Sequence, residues 1–479
     1  MFIRFCGATT GVTGSCHLLE IQGRKLLLDC GQFQGGKAQD ALNREAFPFD
    51  PASVDAVILT HGHIDHCGRL PLLVKYGFRG TIYTTKATAD LLPIMLLDCG
   101  HIQEADALQK NRKRERAGKP LIEPLYTVDD AKNTLPYIKG VDYHEEFSPV
   151  DGVVTSFYDA GHILGSAIAS LEITENGHSR RLVFSGDLGV KDRPILRDPE
   201  FLDRADIVIM ESTYGSRLHP PAHHSIKQLM DIIIDTTERG GTVVIPSFAV
   251  GRTQEIIYQL NKYYDTPNEF TKHLQKIKVY VDSPMASNAT EVFKKHVEVY
   301  DKESYDYLMK GDDPLAFDNL IFTKSTDESI AINQSREPKI IISASGMCEA
   351  GRIRHHLKHN IWRSNCAVVF VGYQAVGTLG RYILEGADHI KLFGEEIIVK
   401  AKIFNLEGLS GHADQQGLLE WLGAFSTSPK VFLVHGEPES KLILSGLIRE
   451  ELGFDVKAIT ENRSFFYDLK TGHVREVED

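Results

Sequence analysis

The sequence lacks any apolar stretch near the roughly 20 residues that a helix needs to cross a bilayer. Its first residues, MFIRFCGATTG, also lack the basic, apolar and small-residue segments that make up a signal peptide. Internal repeats and low-complexity tracts are missing too. We therefore expect a cytoplasmic protein with no membrane partner.

Cysteine is scarce and poorly placed for disulfide bonds. The seven cysteines are scattered over 479 residues, and no two of them form a CxxC pair. This usage fits a reducing compartment and argues against a secreted disulfide framework. Cys67 lies beside a group of histidines, and we expect a small buried thiol there in preference to a metal ligand.

Positive charge is in deficit, with 53 Lys and Arg against 65 Asp and Glu, which gives a net charge of −12. A protein that coats nucleic acid by electrostatics has the opposite balance. A polyanionic substrate would therefore depend on local cations, of which bound metal ions are the most compact. One basic run, QKNRKRERAGK (109–119), stands out, and a solvated helix face or loop is the favoured interpretation over RNA contact.

What the sequence does contain is an ordinary globular composition, 42% hydrophobic and 25% charged, in a chain long enough for two or three domains. Short apolar runs bounded by turn residues predict buried strands. They are KLLLDCG (25–31), VDAVILTHGH (54–63), RLVFSGD (181–187), DIVIMEST (206–213), GTVVIPS (241–247), KVYVDSP (278–284), KIIISASG (339–346), AVVFVGY (367–373) and KVFLVHGE (430–437). Helical patterns at 249–264 and 414–425 lie between strands, and this alternation indicates an α/β fold.

Polar residues that can bind a ligand recur where these strands end. Five of them lie at or just after the carboxyl end of a predicted strand: Asp29, His61, Asp187, Glu211 and His435. In α/β architectures this edge of the sheet binds ligands. Repetition at five strands predicts a functional site there.

The segment THGHIDHCG (60–68) holds His61, His63, Asp65 and His66 within six positions. Burying these groups is costly unless a partner satisfies them, so the alternatives are a metal site and a solvated surface loop. Three downstream residues offer more ligands and have glycine neighbours, which allow close approach. They are His162 in DAGHILGS, Asp187 in SGDLG and His435 in LVHGE.

These side chains are too many for one zinc ion, which takes four or five ligands, and they match two ions. We predict that His61, His63 and His162 hold the first. Asp65, His66 and His435 would hold the second, with Asp187 and a water between the two ions. Imidazole and carboxylate ligands suit Zn²⁺, with Mn²⁺ or iron as alternatives, and Asp29 would orient the histidines or their loop.

The series Asp29, HGHIDH, His162 and Asp187 resembles the metallo-β-lactamase superfamily. Three further motifs are similar to motifs A, B and C of its β-CASP nuclease branch, namely ESTYG with Glu211, SGHAD with His412 and VHGE with His435. PSFAVGRTQE (246–255), DSPMA (282–286), SASGM (343–347) and GYQAVGTLGR (372–381) resemble segments of the β-CASP region. The resemblance extends over nearly the whole chain.

The resemblance implies an α/β fold in which a metallo-β-lactamase αββα sandwich carries an inserted α/β β-CASP domain. The sandwich would comprise residues 1–210 and 400–479, and the β-CASP domain residues 211–399. Members of this family also commonly form homodimers, so the resemblance allows one here.

For function, the resemblance implies a zinc-dependent ribonuclease that hydrolyses single-stranded RNA with two metal ions, most simply as an endonuclease of RNA processing or decay. His435 favours RNA, because the DNA-acting members have valine at motif C. The residues expected to carry catalysis are Asp187, His412 as general acid and Glu211 as the partner of His412.

Several residues of the β-CASP region have two interpretations. Ser343, Ser345 and Gly346 could bind RNA phosphates or form a tight turn. Arg252 could contact RNA or pair with Glu255. The histidines of RIRHHLKHN resemble a metal cluster, but no acidic residue lies close to them in the sequence, which favours a partly exposed basic helix for His355, His356 and His359.

Other functions remain as alternatives. A 5′ exoribonuclease would use the same ligands. A metallo-hydrolase of small esters, such as a lactone or thioester, would not need the large inserted domain. A non-catalytic RNA-binding scaffold is disfavoured, because all seven predicted ligands are present.

Overall fold

A computed structural model describes residues 1–265 and 269–477. The chain folds into two compact units. The first consists of residues 1–191, 198–218 and 412–479, and the second of residues 192–197 and 219–411. The domain boundaries expected from the resemblance, at 210/211 and 399/400, stay a prediction.

The strands in the described ranges follow in chain order. They are β1 (Phe2–Phe5), β2 (His17–Ile21), β3 (Arg24–Leu28), β4 (Ala56–Ile58), β5 (Thr81–Thr85), β6 (Ile138–Val141), β7 (Val153–Asp159), β8 (Ala167–Glu175), β9 (His178–Phe184), β10 (Ile207–Met210), β11 (Thr242–Pro246), β12 (Lys278–Val281), β13 (Leu320–Phe322), β14 (Lys339–Ser343), β15 (Ala367–Phe370), β16 (His389–Leu392), β17 (Glu395–Ile398), β18 (Lys402–Asn405), β19 (Lys430–Leu433), β20 (Asp455–Ala458), β21 (Arg463–Tyr467) and β22 (Val474–Val477).

The α-helices of the same ranges are also given in chain order. They are α1 (Gly36–Leu42), α2 (Ile64–Cys67), α3 (Leu70–Lys75), α4 (Lys86–Arg116), α5 (Val128–Thr134), α6 (Ala222–Glu238), α7 (Arg252–Asp265), α8 (Glu269–Leu274), α9 (Pro284–Lys295), α10 (Lys302–Met309), α11 (Thr326–Gln334), α12 (Ile353–Asn360), α13 (Leu379–Leu384), α14 (Gln415–Gly423) and α15 (Pro438–Leu447).

The first unit is built on two sheets. One has the strand order β22-β21-β1-β2-β3-β4-β5-β6 and the other the order β20-β19-β10-β9-β8-β7. Apolar side chains from both sheets share one buried core, among them Ile3, Phe5, Leu171, Phe184 and Phe432. The two sheets therefore face each other, and burial of this shared apolar surface is the main force that holds them together.

Helices cover the outer face of each sheet in the first unit. On one side, Leu73 of α3 and Leu92 of α4 share a cluster with Val57 of β4. On the other side, Leu418 of α14 and Leu444 of α15 are buried with strand residues of the second sheet. These layers form an αββα sandwich, and the predicted fold class is confirmed.

The second unit contains a six-stranded sheet in the order β13-β12-β14-β11-β15-β18, with every neighbouring pair parallel. The antiparallel pair β16-β17 stands apart from this sheet. The central strands of the six-stranded sheet are continuous apolar runs, because helices bury both faces of that sheet. Thus β11, β14 and β15 are fully buried.

All nine strands predicted from apolar runs are present, and each lies inside its predicted segment or extends it by a few residues. The helix predicted at 249–264 begins later, at Arg252, because residues 247–251 form a turn in which Phe248 O accepts the Thr253 backbone N–H. In the described ranges, no helix combines the length and apolar character that a bilayer crossing needs.

Candidate metal centre

The ligand-bearing residues lie at one edge of each sheet in the first unit. β3 and β4 are parallel neighbours in one sheet, and β9, β10 and β19 are parallel neighbours in the other. Parallel strands end at the same edge, so the residues that follow them gather there. The five strand-end residues predicted from the sequence follow these strands: Asp29, His61, Asp187, Glu211 and His435.

A first group of ligand atoms comes from His61, His63, His162 and Asp187, and all four lie within 4.8 Å of one another. His61 Nε2 is 3.1 Å from His63 Nδ1, and His162 Nε2 is 3.3 Å from the same nitrogen. Asp187 Oδ2 lies 3.5 Å from the Nε2 atoms of both His61 and His162. The set predicted for the first ion is therefore brought together.

A second group comes from Asp65, His66 and His435. Their nearest approach is 3.2 Å, between the Nε2 atoms of the two histidines, and Asp65 Oδ2 is 3.4 Å from His435 Nε2. Asp187 Oδ1 lies 3.2 Å from His66 Nε2. The two oxygens of Asp187 thus face different groups, as expected of a residue between two ions.

These side chains are arranged to bind divalent cations, and they cannot all hydrogen-bond with one another. A neutral imidazole carries one N–H and one acceptor nitrogen, so several nitrogens that converge within hydrogen-bond distance cannot all find a proton. In addition, the buried Asp187 Oδ1 has no hydrogen-bond partner among the described residues. Imidazole and carboxylate donors in this arrangement are ordinary ligands of zinc and manganese.

The protonation of the first ligand group also favours metal binding. Burial lowers the pKa of His61 well below its usual value and lowers that of His63 to about 4, so both imidazoles are neutral and can donate a lone pair near neutral pH. Burial would raise the pKa of Asp187, but the neighbouring His435 and His66 outweigh it and hold the pKa well below the usual range. The carboxylate is therefore charged.

Asp29 holds the second histidine group in place. Its Oδ2 lies 2.7 Å from His66 Nδ1 and accepts a hydrogen bond from Ser15 Oγ, and its Oδ1 accepts the backbone N–H of Thr60. When a carboxylate accepts a hydrogen bond from Nδ1–H, the lone pair of the imidazole remains on Nε2, where it can bind a metal. Asp29 is fully buried and adopts a left-handed backbone conformation, with φ of 57°.

Two threonines that were not predicted from the sequence also contact Nδ1 of a ligand imidazole. Thr60 Oγ1 is 3.1 Å from His61 Nδ1, and Thr213 Oγ1 is 3.2 Å from His435 Nδ1. Thr60 immediately precedes His61, so its role could have been suspected. Thr213 lies in ESTYG, far from His435 in the sequence, and gave no such signal.

A third group joins Glu211 and His412 to Asp187. His412 Nδ1 lies 3.1 Å from Glu211 Oε1, which also accepts the Leu188 backbone N–H at 2.7 Å. Burial alone would lower the pKa of His412, but Glu211 and Asp187 outweigh it and raise the pKa to about 9. This imidazole is therefore held protonated near neutral pH beside the first ligand group.

The residues predicted to contact RNA belong to the second unit, where they make hydrogen bonds, an ion pair and packing contacts with other residues of that unit. Ser343 is buried and donates to Asp282 O, while Ser345 Oγ accepts the Glu349 backbone N–H. Gly346 is packed so closely that a Cβ there would lie 2.8 Å from the Phe248 ring. These contacts are those of a tight turn, and RNA binding by this segment stays a prediction.

Arg252 makes the other contact considered for it, an ion pair with Glu255. Glu255 is also paired with Arg193, so two nearly buried guanidinium groups share one carboxylate. RNA contact by Arg252 likewise stays a prediction.

The segment RIRHHLKHN does form a partly exposed basic helix, α12, but the expectation that its histidines have no acidic partner was wrong for His356. His356 is fully buried and does have an acidic partner, since its Nε2 lies 2.6 Å from Asp282 Oδ2. Asp282 is 74 positions upstream, which is why the local sequence gave no sign of it. His355 and His359 are exposed as expected. Cys67 is buried and donates to Gly62 O, which matches the predicted thiol.

The chain matches three protein-family models: the metallo-beta-lactamase superfamily at residues 9–247, the Beta-Casp domain at 253–383 and the Zn-dependent metallo-hydrolase RNA specificity domain at 396–459. Ribonuclease TTHA0252 of Thermus thermophilus is 38% identical over 442 residues, which cover 92% of this chain and 94% of the relative.

Two archaeal proteins from Methanocaldococcus jannaschii are each 32% identical to the chain. The RNase J-like protein aligns over 91% of this chain and 93% of its own length, and transcription termination factor FttA over 93% and 68%. Among solved structures, a protein of unknown function from Enterococcus faecalis V583 has a TM-score of 0.48 and 13% identity, and the match covers 92% of this chain and 95% of that protein. From the three family models and the relatives of high coverage, the chain belongs to the β-CASP branch of the metallo-β-lactamase superfamily.

Proposed function

We propose that this protein is a metal-dependent ribonuclease that hydrolyses phosphodiester bonds in single-stranded RNA. The observation that carries the proposal is the arrangement around Asp187, whose two oxygens face two ligand groups and which lies 3.9 Å from the protonated His412. Membership of a family that includes a protein named ribonuclease supports RNA as the substrate.

The residues that would hold the ions are the two ligand groups described above, with Asp187 common to both. We propose Zn²⁺ at each, with Mn²⁺ as the alternative. When bound, such ions lower the pKa of a water molecule and neutralise charge on the scissile phosphate.

His412 would then act as general acid. Cleavage with water as the nucleophile leaves a 3′ oxygen that needs a proton, and a protonated imidazole can supply it. Glu211 bonds to Nδ1 of this imidazole, which orients the ring and stabilises its charged form. The products would carry a 5′ phosphate and a 3′ hydroxyl. Because no step uses the 2′ hydroxyl as the nucleophile, a substrate without it at the scissile position should still be cut.

Endonucleolytic cleavage is the mode that we propose, and the test uses one single-stranded RNA labelled separately at each end. The metal-loaded protein is compared with D187A, H412A and the matched control H359A, which removes an exposed histidine of the second unit. We expect internal fragments from both labels with the wild type and H359A, and none with D187A or H412A. Bound metal is measured on the same samples, with two ions expected per wild-type chain.

Other outcomes would change the proposal. Release of mononucleotides from the 5′ end alone would make the protein a 5′ exoribonuclease. Intact RNA in every lane, from a wild type that binds two ions, would contradict the ribonuclease function and leave small esters as the substrates to examine. Binding of RNA without cleavage would indicate a scaffold.

A further inference from the structure

Helix α4 ends in a concentration of positive charge that the proposed reaction does not use. Its last turns and the residues after it carry six cationic side chains and one carboxylate, that of Glu115. We name the six cations the basic tip: Lys110, Arg112, Lys113, Arg114, Arg116 and Lys119. In a chain with a net charge of −12, this is a local reversal of sign.

Packing does not explain the basic tip. The buried side chains of α4 all lie between Ala87 and Ala107, so the final turns extend beyond the core. All six cations except the partly exposed Arg114 are exposed. Within the described residues, none of the six forms an ion pair, although surface cations elsewhere in the chain commonly do.

The helix dipole does not explain the basic tip either. One or two cations in the last turn are enough to interact with the partial negative charge of a helix C-terminus. Hydrogen bonds of the backbone and of Asn111 hold the segment after the helix in place. Asn111 exchanges two hydrogen bonds with the backbone of Ile122, and the Lys119 backbone N–H donates to Arg114 O. Arg114 adds a hydrogen bond from its Nε to Pro120 O. The helix end thus supports six cations that form no ion pair among the described residues.

The other end of α4 lies beside the metal centre. Thr85 and Thr88 both donate side-chain hydrogen bonds to Gly165 O, three residues after His162. Leu91 also lies close to Gly62, the residue between the ligands His61 and His63 in the sequence. At 1.5 Å per residue, the basic tip is roughly 30 Å further along the helix. One helix therefore connects the metal-binding loops to the basic tip.

We propose that the basic tip binds the phosphates of single-stranded RNA at a distance from the bond that is cut, so that it favours substrates long enough to reach it. This inference rests on the proposed function. Exposed Lys and Arg side chains that form no ion pair among the described residues suit a polyanion, and release of counterions from RNA drives such binding. Contacts of this kind carry no sequence information, so the basic tip would select for length alone.

The distance determines which kinetic constant should change. Charges about 30 Å from the metal centre lie well beyond the Debye length of roughly 10 Å at 0.1 M salt, so they cannot stabilise the reacting phosphate. They act only by holding RNA before and during cleavage, which changes KM and leaves kcat unchanged. An RNA too short to span the distance should not sense them.

The test variant is K110Q/R112Q/K113Q/R116Q, which neutralises four exposed positions while keeping side chains that favour a helix. Its matched control, K272Q/K276Q/K310Q/K400Q, removes the same charge from exposed positions of the second unit. Both are compared with the wild type on an RNA of about 30 nucleotides and on one of about four, which at about 3.4 Å per nucleotide falls short of the basic tip. KM, kcat and the salt dependence of KM are measured for each.

For the long RNA, we expect the tip variant to raise KM by about five-fold or more near 0.1 M salt and to reduce the slope of log KM against log salt by about one to three. Its kcat, and its KM for the short RNA, should equal those of the wild type. Equal KM values for the long RNA in the test variant and the wild type would overturn the inference. So would an equal rise in KM for the long and the short RNA, or the same rise in KM in the control variant. If the wild type cuts neither RNA, the proposed function fails instead.

Discussion

At the scale of single residues, three of the ligand imidazoles are each held at Nδ1 by an oxygen of the protein. Asp29 contacts His66, Thr60 contacts His61 and Thr213 contacts His435. In each case Nδ1 faces the protein oxygen and Nε2 remains for a cation, so these contacts favour the tautomer that binds a metal. Only Asp29 among these partners was predicted from the sequence.

Glu211 offers the sharpest test at this scale. Replacement by glutamine keeps an oxygen that can accept the Leu188 N–H but removes the charge that stabilises protonated His412. We expect kcat for RNA cleavage to fall by about 10² while KM changes little, because loss of general acid catalysis typically costs 10²–10⁴.

The metal content of the variant distinguishes a partner of His412 from a metal ligand, since Glu211 belongs to neither predicted ion-binding group. E211Q should still bind two ions per chain, as measured by atomic spectroscopy. The exposed Glu439 provides the control E439Q, which should match the wild type in kcat. Loss of a metal ion from E211Q, or an unchanged kcat, would contradict the assigned role.

At the scale of secondary-structure elements, the site depends on close contact between loops. Gly31 follows β3, and a Cβ at this position would lie 1.6 Å from the backbone oxygen of Asp65. No rotation of the side chain relieves such an overlap, because it involves Cβ and backbone. The loop that carries His63, Asp65 and His66 can approach β3 only because residue 31 is glycine.

Gly31→Ala should therefore displace this loop. We expect loss of at least one bound ion and a fall in kcat/KM of about 10² or more, the cost of a shift near 1 Å in a catalytic group. Gly446→Ala, at a helical position with open space around it, should change neither quantity. A Gly31→Ala protein with two ions and wild-type activity would show that the loop tolerates the shift.

Sequence patterns were informative at this scale where the signal is local. Runs such as GTVVIPS predicted buried strands, and the pair of Arg252 with its near neighbour Glu255 was one of the two alternatives considered. The partnership of Asp282 with His356 could not be predicted in this way, because folding brings together residues 74 positions apart. For the same reason, Thr213 gave no sign of its contact with His435. Long-range pairs of this kind require the topology as well as the pattern.

At the scale of the whole first unit, Lys441 of α15 connects the two ends of the chain. Its ammonium is fully buried and donates to the backbone oxygens of Thr9 and Ile459. In the described structure, no carboxylate pairs with it, and burial lowers its pKa to about 7. An unfolded chain would keep this lysine protonated up to about pH 10.

This difference makes stability depend on pH in a defined direction. Between about pH 7 and 10 the unfolded state binds more protons than the folded state, so the free energy of unfolding should rise with pH, by at most about 1.4 kcal/mol per pH unit. In the K441M variant this contribution is absent. The Tm of the wild type minus that of K441M should therefore increase from pH 7 to pH 9. K470M, at an exposed lysine, should show no such trend, and a constant Tm difference for K441M would contradict the assignment.

The proposed metal centre draws its ligands from chain positions 61 to 435, with the second unit encoded between them. During translation, the ligands near the N-terminus are synthesised first. The set stays incomplete until His435 has been added to the chain. A growing polypeptide on the ribosome thus has no finished catalytic centre until most of its message has been read. A nuclease organised in this way cannot cut the transcript from which it is being made until its own synthesis is almost over.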